Sequence, residues 1–400
     1  MHHEPERPPS LRMNARTTDV LTVFQGDLRA GELARTRHGA RFTYAPEYLA
    51  CAASGIAYKL PPRAEPYEVL GANLHPFFAN LLPEGVRMHA LVGALKTDAD
   101  DLFSQLAASG VATIGDVVVA RGERRPPARR AFATLDQLAH ASFAELFADS
   151  LRYEDGRGDF AIAGVQPKLS VCDGGRASIL KLPPPELPRL VENEAFFMHV
   201  AENAGMRVAR TRVVHDRLGQ AALLVERFDR TYDGAWLHQE DACQLLDHYP
   251  ADKYQPSLRD VSDALEVCTE PAHERLELLR MQTFSYLIAN GDLHAKNVSV
   301  RRVGARVELT PCYDLLSTLP YGDRSLALAI DGRDDELTRA HLLSFGERIG
   351  LSRDAVATMI DVLCEHVSAA SARVSEIGLP HKQTEQLQRL MRARLGALAP

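Results

Sequence analysis

Asp292 and Asn297 stand five residues apart in the segment NGDLHAKNVSV, and a second aspartate, Asp314, follows in CYDLLS. Carboxylate and amide oxygens are hard donors of the kind magnesium takes. A carboxylate beside a hydroxyl can also accept its proton. Phosphoryl transfer from ATP needs this set: a base that orients the attacking hydroxyl, oxygen ligands for the metal and a cation on the phosphates. The D-x-x-x-x-N spacing alone recurs by chance. Two strand-like runs between 298 and 311, around the turn at Val303, Gly304 and Ala305, add to it. A hairpin returns both its ends to one place, so Asn297 and Asp314 would meet at one ion. The opposing reading is structural. Asp292 and Asn297 would be turn formers, and Asp314 would cap a helix starting at Leu315.

The cation has a candidate. Lys181 ends the apolar run SILK, where a charge is unexpected without a partner, and Glu194 in the following helix is the natural one. Upstream, AGVQPK holds Gly164 as its only glycine and is no G-x-G-x-x-G loop. A backbone nest there, with Lys168 as a further phosphate cation, is the alternative. LLVERFDR is a strand that turns polar at Glu226, which suits a hinge whose backbone from Glu226 to Phe228 meets an adenine.

These groups need elements to hold them. The chain has 400 residues, a net charge of −7 and six scattered cysteines without C-x-x-C spacing. It is too long for one ordinary domain, is no polyanion binder overall, and fits a reducing cytoplasm. No run approaches the ~18 apolar residues of a membrane span. Residues 1–17 read as a disordered leader. Residues 18–122 read as a mixed domain of short antiparallel strands around Gly26 and Gly39, then helix broken at Pro83, then strand in IGDVVVARG. RGERRPPARR, with five arginines, reads as an exposed linker over 123–132. Residues 133–235 read as a strand-rich lobe: strands at 169–172 and 177–182 flanking DGG, a helix with Val191, Ala195, Met198 and Ala201 on one face and its stop at Gly205, then two more strands. From Arg230 the pattern turns helical through 236–400, with a buried helix in ERLELLRMQTFSYLIANGD and the one hairpin embedded.

The blocks GELARTRHGARFTYAPEYL, FFANLLPEG, IAGVQPKLSV, ILKLP, ENE, LVERFDR, HQEDACQLL, NGDLHAKNVSV and YDLLST, in this order, resemble the HipA-type serine/threonine kinase toxins of bacterial toxin–antitoxin modules. The resemblance spans about residues 20–395. It implies an α+β, bilobal protein-kinase-like fold with an extra N-terminal subdomain, and use of ATP and Mg2+. It implies a small helix-turn-helix antitoxin of HipB type, with DNA reached only through it, and a protein target such as an aminoacyl-tRNA synthetase. Residue by residue, Asp292 matches the catalytic base, and Asn297 and Asp314 the metal ligands. His294 would touch the transferring phosphate. Lys181 matches the phosphate lysine, and Ala163, Gly164, Val165, Gln166 and Lys168 the phosphate loop. Glu226 and Phe228 match the hinge, and Tyr313 adds a nucleotide contact. One departure is Ala161, at the place where relatives carry an autophosphorylated serine. Two other readings stay open: a kinase for a small-molecule or lipid hydroxyl, and a nucleotide-binding co-repressor that acts by contact.

Overall fold

The computed structural model describes residues 20–51, 54–71, 73–111, 113–127, 131–151 and 166–400. The expected leader lies outside them. The N-terminal part runs β1 (Val20–Gln25), β2 (Leu28–Thr36), β3 (Gly39–Tyr44), α1 (Pro46–Cys51), β4 (Tyr67–Leu70), α2 (Pro76–Ala79), α3 (Gly85–Leu95), α4 (Leu102–Ser109) and β5 (Val117–Ala120). The strands form an antiparallel sheet in the order β4-β3-β2-β1-β5. Alternation puts Leu21, Val23, Leu33, Phe42 and Tyr44 on the buried face, where Phe77 and Phe78 of α2 pack on them. The β1–β2 turn passes through Gly26 at φ 54°, a conformation glycine adopts freely. The helix expected to break at Pro83 does so: α2 ends at Ala79 and α3 begins at Gly85. The arginine-rich segment is exposed over 121–124, whereas Arg125 sits 5.0 Å over the Trp236 ring.

The second part runs β6 (Ala133–Thr134), α5 (Leu135–His140), α6 (Phe143–Ser150), β7 (Lys168–Asp173), β8 (Arg176–Lys181), α7 (Leu190–Asn203), β9 (Thr211–His215) and β10 (Ala221–Glu226). Its sheet has the order β6-β7-β8-β10-β9, antiparallel except for β6 against β7. Helices α5 and α6 have no counterpart in the sequence reading. A capping box between Thr134 and Gln137 starts α5, and Phe143 of α6 is buried against Leu169, Leu180 and Leu224. Helix α7 buries Val191, Met198 and Ala201 as expected, and also buries Asn193 and Glu194. Gly205 follows it at φ 76°.

The third part is helical around a small sheet: β11 (Gln239–Asp241), α8 (Ala242–Leu246), α9 (Leu258–Ala264), α10 (Pro271–Ile288), β12 (Ser299–Val303), β13 (Arg306–Leu309), α11 (Arg339–Arg348), α12 (Arg353–Ser371) and α13 (His381–Leu398). The expected hairpin is β12–β13. The expectation of helix from Arg230 onward is corrected by β11, which pairs Gln239, Glu240 and Asp241 with Arg301, Val300 and Ser299. Three residues are too few to show a strand period, and only the partner edge makes them one. Helix α10 is buried nearly all round, which accounts for its weak amphipathic pattern. No described helix is long and apolar enough to cross a membrane.

Ionic contacts join the first part to the other two. Asp229 accepts from Gly115 N at 3.0 Å and pairs with Arg227 and Arg230. His238 lies between Asp116 Oδ1 and Glu240 Oε1, each 2.9 Å from one ring nitrogen. Two carboxylate partners require both nitrogens to donate, so the ring is imidazolium. Burial works against that charge, but Asp116 and Glu240 raise the pKa to about 9. A pKa above the ordinary ~6.5 makes this contribution full below pH ~6.5 and progressively lost as pH rises through the folded value. It amounts to at most about 3 kcal/mol. Thermal melts of wild type and His238→Gln at pH 6 and pH 9.5 should therefore differ: wild type loses stability over that range more steeply than the variant, and equal slopes would contradict the assignment.

Candidate active site

A cavity of about 910 Å³ opens where the three parts meet. Its walls include Ile179, Lys181 and Val225 of the second sheet, Glu194 of α7, Phe228, and Asp292, His294, Asn297, Tyr313 and Asp314 of the third part. The size falls in the usual range for small-ligand sites, about 300–1,000 Å³.

Lys181 lies at the end of β8, in register with Lys168 of β7 and Leu223 of β10. Its side chain is 5 % exposed, and its ammonium bonds both Glu194 Oε1 and Asp314 Oδ1. Glu194 is the partner expected from sequence; Asp314 is an addition. Burial alone would depress the lysine pKa, but Asp314 and Glu194 override it and raise it. Burial would likewise raise Asp314, yet Lys181 and Lys168 bring it down to about 2. Lys168 is itself buried beside them, and burial followed by the charge of Lys181 leaves its pKa below the ordinary lysine value despite Asp314.

Asp314 caps no helix, which removes the structural reading of that residue: its φ is 57°, and no regular helix follows directly. A non-glycine residue in the left-handed region costs about 1 kcal/mol or more and persists where its surroundings hold it. They do so on both sides. Cys312 N donates to Arg207 O at 2.7 Å and Ala209 N to Cys312 O at 2.9 Å. Beyond Asp314, Ser317 N donates to Asn193 Oδ1 at 3.0 Å, and Asn193 Nδ2 to Ser317 O at 2.8 Å. Helix α7 thus holds Lys181 through Glu194 and the segment after Asp314 through Asn193.

The other carboxylate comes from the irregular chain after α10. That helix ends at Ala289 in the left-handed region, and Asn290 N returns to Ser285 O at 2.8 Å. Asn297 Nδ2 donates to the Asp292 carbonyl at 2.7 Å, closing the D-x-x-x-x-N turn on itself. Asp292 has a half-exposed carboxylate that accepts from Tyr254 Oη at 2.7 Å. His294 is buried with Nε2 3.8 Å from Asp292 Oδ1; burial lowers its pKa despite that carboxylate, so it is neutral near pH 7. Gly291 N donates to Thr318 Oγ1 at 2.7 Å. A Cβ on Gly291 would stand 2.6 Å from Ser325 O and closer still to the Asp323 carboxylate.

Of the expected hinge, Phe228 lines the cavity with its ring 5.4 Å from that of Tyr313. The Tyr313 hydroxyl is fixed by Lys296 O at 2.9 Å and Ser299 Oγ at 2.8 Å. The side chain of Glu226 is spent elsewhere, its carboxylate taking two bonds from Arg176 at 2.8 and 2.9 Å, and the hinge expectation concerns its backbone. Gln166 lines the wall and donates to Leu182 O at 3.0 Å. Ala161, Ala163, Gly164 and Val165 lie outside the described residues. Sequence reasoning missed the share of the first part, which supplies Asn80, Leu81, Glu84 and Val86 to the wall. It also missed Asp241, Lys253 and Lys296. The quoted runs FFANLLPEG, HQEDACQLL and NGDLHAKNVSV contain most of these residues, but none carries a spacing that predicts a contact as much as two hundred residues away.

Comparison with known proteins bears on the family and the fold. The HipA N-terminal domain family matches residues 21–120, and the HipA-like C-terminal domain family matches residues 160–371. A putative kinase of Sinorhizobium fredii, Y4mE, is 30% identical across 90% of this chain and 93% of its own. This chain belongs to the HipA family. The serine/threonine-protein kinase toxin HipA of Shewanella oneidensis is 28% identical over 90% of both chains. HipA from a Shewanella oneidensis complex of HipA, HipB and operator DNA superposes with a TM-score of 0.74 at 24% identity, covering 94% of this chain and 97% of that one. The fold is the bilobal kinase-like α+β fold with an N-terminal addition, and the chain is a kinase.

The close packing at Gly291 has a direct test. Gly291→Ala must displace backbone at Ser325 and should lose about 1–3 kcal/mol in denaturant unfolding. Gly93→Ala, in α3 with nothing near its added Cβ, should be neutral or stabilising by up to about 1 kcal/mol. Equal stabilities for the two variants would rule out the packing argument.

Proposed function

We propose that this kinase moves the γ-phosphoryl group of ATP onto a serine or threonine hydroxyl of a protein, with Asp292 as the base. The observation that carries the reading is the convergence of Lys181, Asp314, Asn297 and Asp292 on one cavity from three separate elements. Asp292 receives the acceptor hydroxyl. The Tyr254 phenol, already 2.7 Å from Oδ1, marks an approach by which an O–H can donate to it. In the step, the acceptor oxygen bonds to the γ-phosphorus, the bond from that phosphorus to the bridging oxygen breaks, ADP leaves, and the hydroxyl proton passes to Asp292. Lys181 and Lys168 hold the phosphates, and the neutral His294 donates to the one in transfer. Phe228 and Tyr313 with Ile179 and Val225 offer an apolar, partly aromatic seat for adenine. Residues 163–168 form the phosphate loop in this reading.

The donor set suits magnesium. Asn297 spends its amide nitrogen on the Asp292 carbonyl, which leaves its amide oxygen as a ligand, and Asp314 supplies a carboxylate oxygen. Magnesium takes one or two protein oxygens and completes its shell with phosphates and water. When bound, the ion offsets charge on the β- and γ-phosphates. The Shewanella relative's complex with HipB and operator DNA favours a small helix-turn-helix antitoxin as partner, with DNA contacted through it, in a cytoplasmic toxin–antitoxin role. An aminoacyl-tRNA synthetase is the target class to try first.

Incubating full-length chain with γ-labelled ATP and a bacterial lysate, then identifying the labelled protein and residue, tests the reading. Label on a protein serine or threonine supports it; label only on a small molecule or lipid fraction overturns the acceptor class. Asp292→Asn should lower transfer about 10²–10⁴-fold with the fold intact; transfer at the wild-type rate would remove Asp292 from its role. Asp314→Asn tolerates the left-handed backbone but loses the charge, so Mg2+-dependent ATP binding should weaken in calorimetry run well below the melting temperature of the variant, which falls because buried Lys181 loses one of its two carboxylates. Equal Mg2+-dependent affinity would rule that ligand out. Because Ala161 offers no hydroxyl, prolonged incubation with Mg2+ and ATP should leave residues 155–175 unphosphorylated and the enzyme active; a phosphate there with loss of activity would show that another residue has taken over.

A further inference from the structure

FFANLLPEG in the N-terminal part has no role in the chemistry above, yet it touches the loop that carries it. Glu84, the residue before α3, places Oε1 3.2 Å from Lys296 Nζ and Oε2 3.4 Å from Lys253 Nζ. Lys296 belongs to DLHAKN itself and adjoins Asn297. Its side chain is 7 % exposed, and the ammonium also meets Asn80 Oδ1 at 3.0 Å, Asn80 O at 3.5 Å and Asp241 Oδ2 at 3.5 Å. Its carbonyl accepts from Tyr313 Oη, so both ends of the residue are held. Lys253 grips the same loop by its main chain, its carbonyl accepting from Ala295 N at 3.1 Å. One carboxylate of the N-terminal part therefore ties two lysines that fix residues 295 and 296.

The loop needs such ties. Between α10 and β12 it has one short 3-10 turn, Ala295–Asn297, and no strand ladder. Asp292 and Asn297 sit at its two ends. We propose that Glu84, with Asn80, is a positioning residue for phosphoryl transfer: through Lys296 and Lys253 it sets the loop 292–297, so the N-terminal part completes the kinase site. The step it serves is the one proposed above. Burial alone would raise the Glu84 pKa, but Lys296 and Lys253 bring it below the ordinary carboxylate value, so it is ionised at neutral pH. Docking of the N-terminal part does not hang on this contact, because Asp116–His238 and Gly115–Asp229 secure it elsewhere.

Full-length wild type, Glu84→Gln, Asn80→Ala and Arg35→Gln distinguish positioning from stability. Arg35 pairs with Asp101 in the same part, away from the loop, and serves as control. Four readouts are taken: kcat, the Mg2+ concentration for half-maximal rate, ATP affinity without metal, and hydrogen exchange of amides 292–298. Glu84→Gln should lower kcat about 10- to 100-fold, as loss of an outer-shell partner does. It should also raise the Mg2+ requirement and speed exchange over 292–298, with metal-free ATP affinity unchanged. Asn80→Ala should move the same readouts less, and decides the matter if Glu84→Gln does not fold. Arg35→Gln should move none. Wild-type kcat and exchange in Glu84→Gln, or a loss of rate that merely tracks the unfolded fraction, would overturn the proposal. If wild type itself transfers no phosphate, the kinase reading of the site fails instead, and exchange over 292–298 still decides: variants that exchange like wild type sink the positioning role.

Discussion

A buried ammonium cannot stand alone, and the cleft of this protein is arranged around that constraint. Removing one partner from a buried ion pair costs about 3–5 kcal/mol, because the remaining charge has no water to return to. Lys181 meets the constraint with two carboxylates that come from different directions. Glu194 brings α7 against the second sheet. Asp314 brings in the segment that leaves β13. One cation therefore fixes the distance between the sheet that would hold phosphates and the lobe that would hold the metal. Asn193, one residue before Glu194, bonds the chain around Ser317 and makes the arrangement rigid from a second point. The left-handed backbone at Asp314 is sustained by this bracing.

The second requirement is a loop that is irregular and still precise. Loops position reactive groups well only when a scaffold over-determines them. Here the scaffold is distributed. Helix α10 ends in a left-handed cap at Ala289, Gly291 is seated on Thr318 and the 323–325 segment, Asn297 returns to the Asp292 carbonyl, and Lys296 is anchored on the N-terminal part. Apart from the Asn297–Asp292 bond, each tie reaches a partner outside the D-x-x-x-x-N segment and makes that spacing usable.

Much of this was legible in the sequence because it is local. The hairpin β12–β13, the strands β7 and β8 around DGG, the stop of α7 at Gly205 and the break at Pro83 each rest on a period or a turn signal within ten residues. The Lys181–Glu194 pair was legible because a lysine closing an apolar strand needs a carboxylate nearby. What was not legible is non-local or too short for a period. β11 is a strand only because β12 offers it an edge. Helices α5 and α6 follow directly on the proline- and arginine-rich run read as linker, and each is too short for its helical period to stand out. The Glu226 carboxylate, which no local signal places, is taken by Arg176 across the β8–β10 pairing. The contribution of Glu84 and Asn80 to the cleft depends on how the N-terminal part docks, and no window of sequence encodes that.

Lys181 joins Glu194 and Asp314 across the cleft and is the cation proposed to hold the phosphates. Transfer of label from γ-labelled ATP by Lys181→Met, set beside wild type and read together with circular dichroism, tests it most directly. Wild type should label a protein serine or threonine, and Lys181→Met, still folded, should label nothing above background. Labelling by Lys181→Met at the wild-type rate would contradict the account.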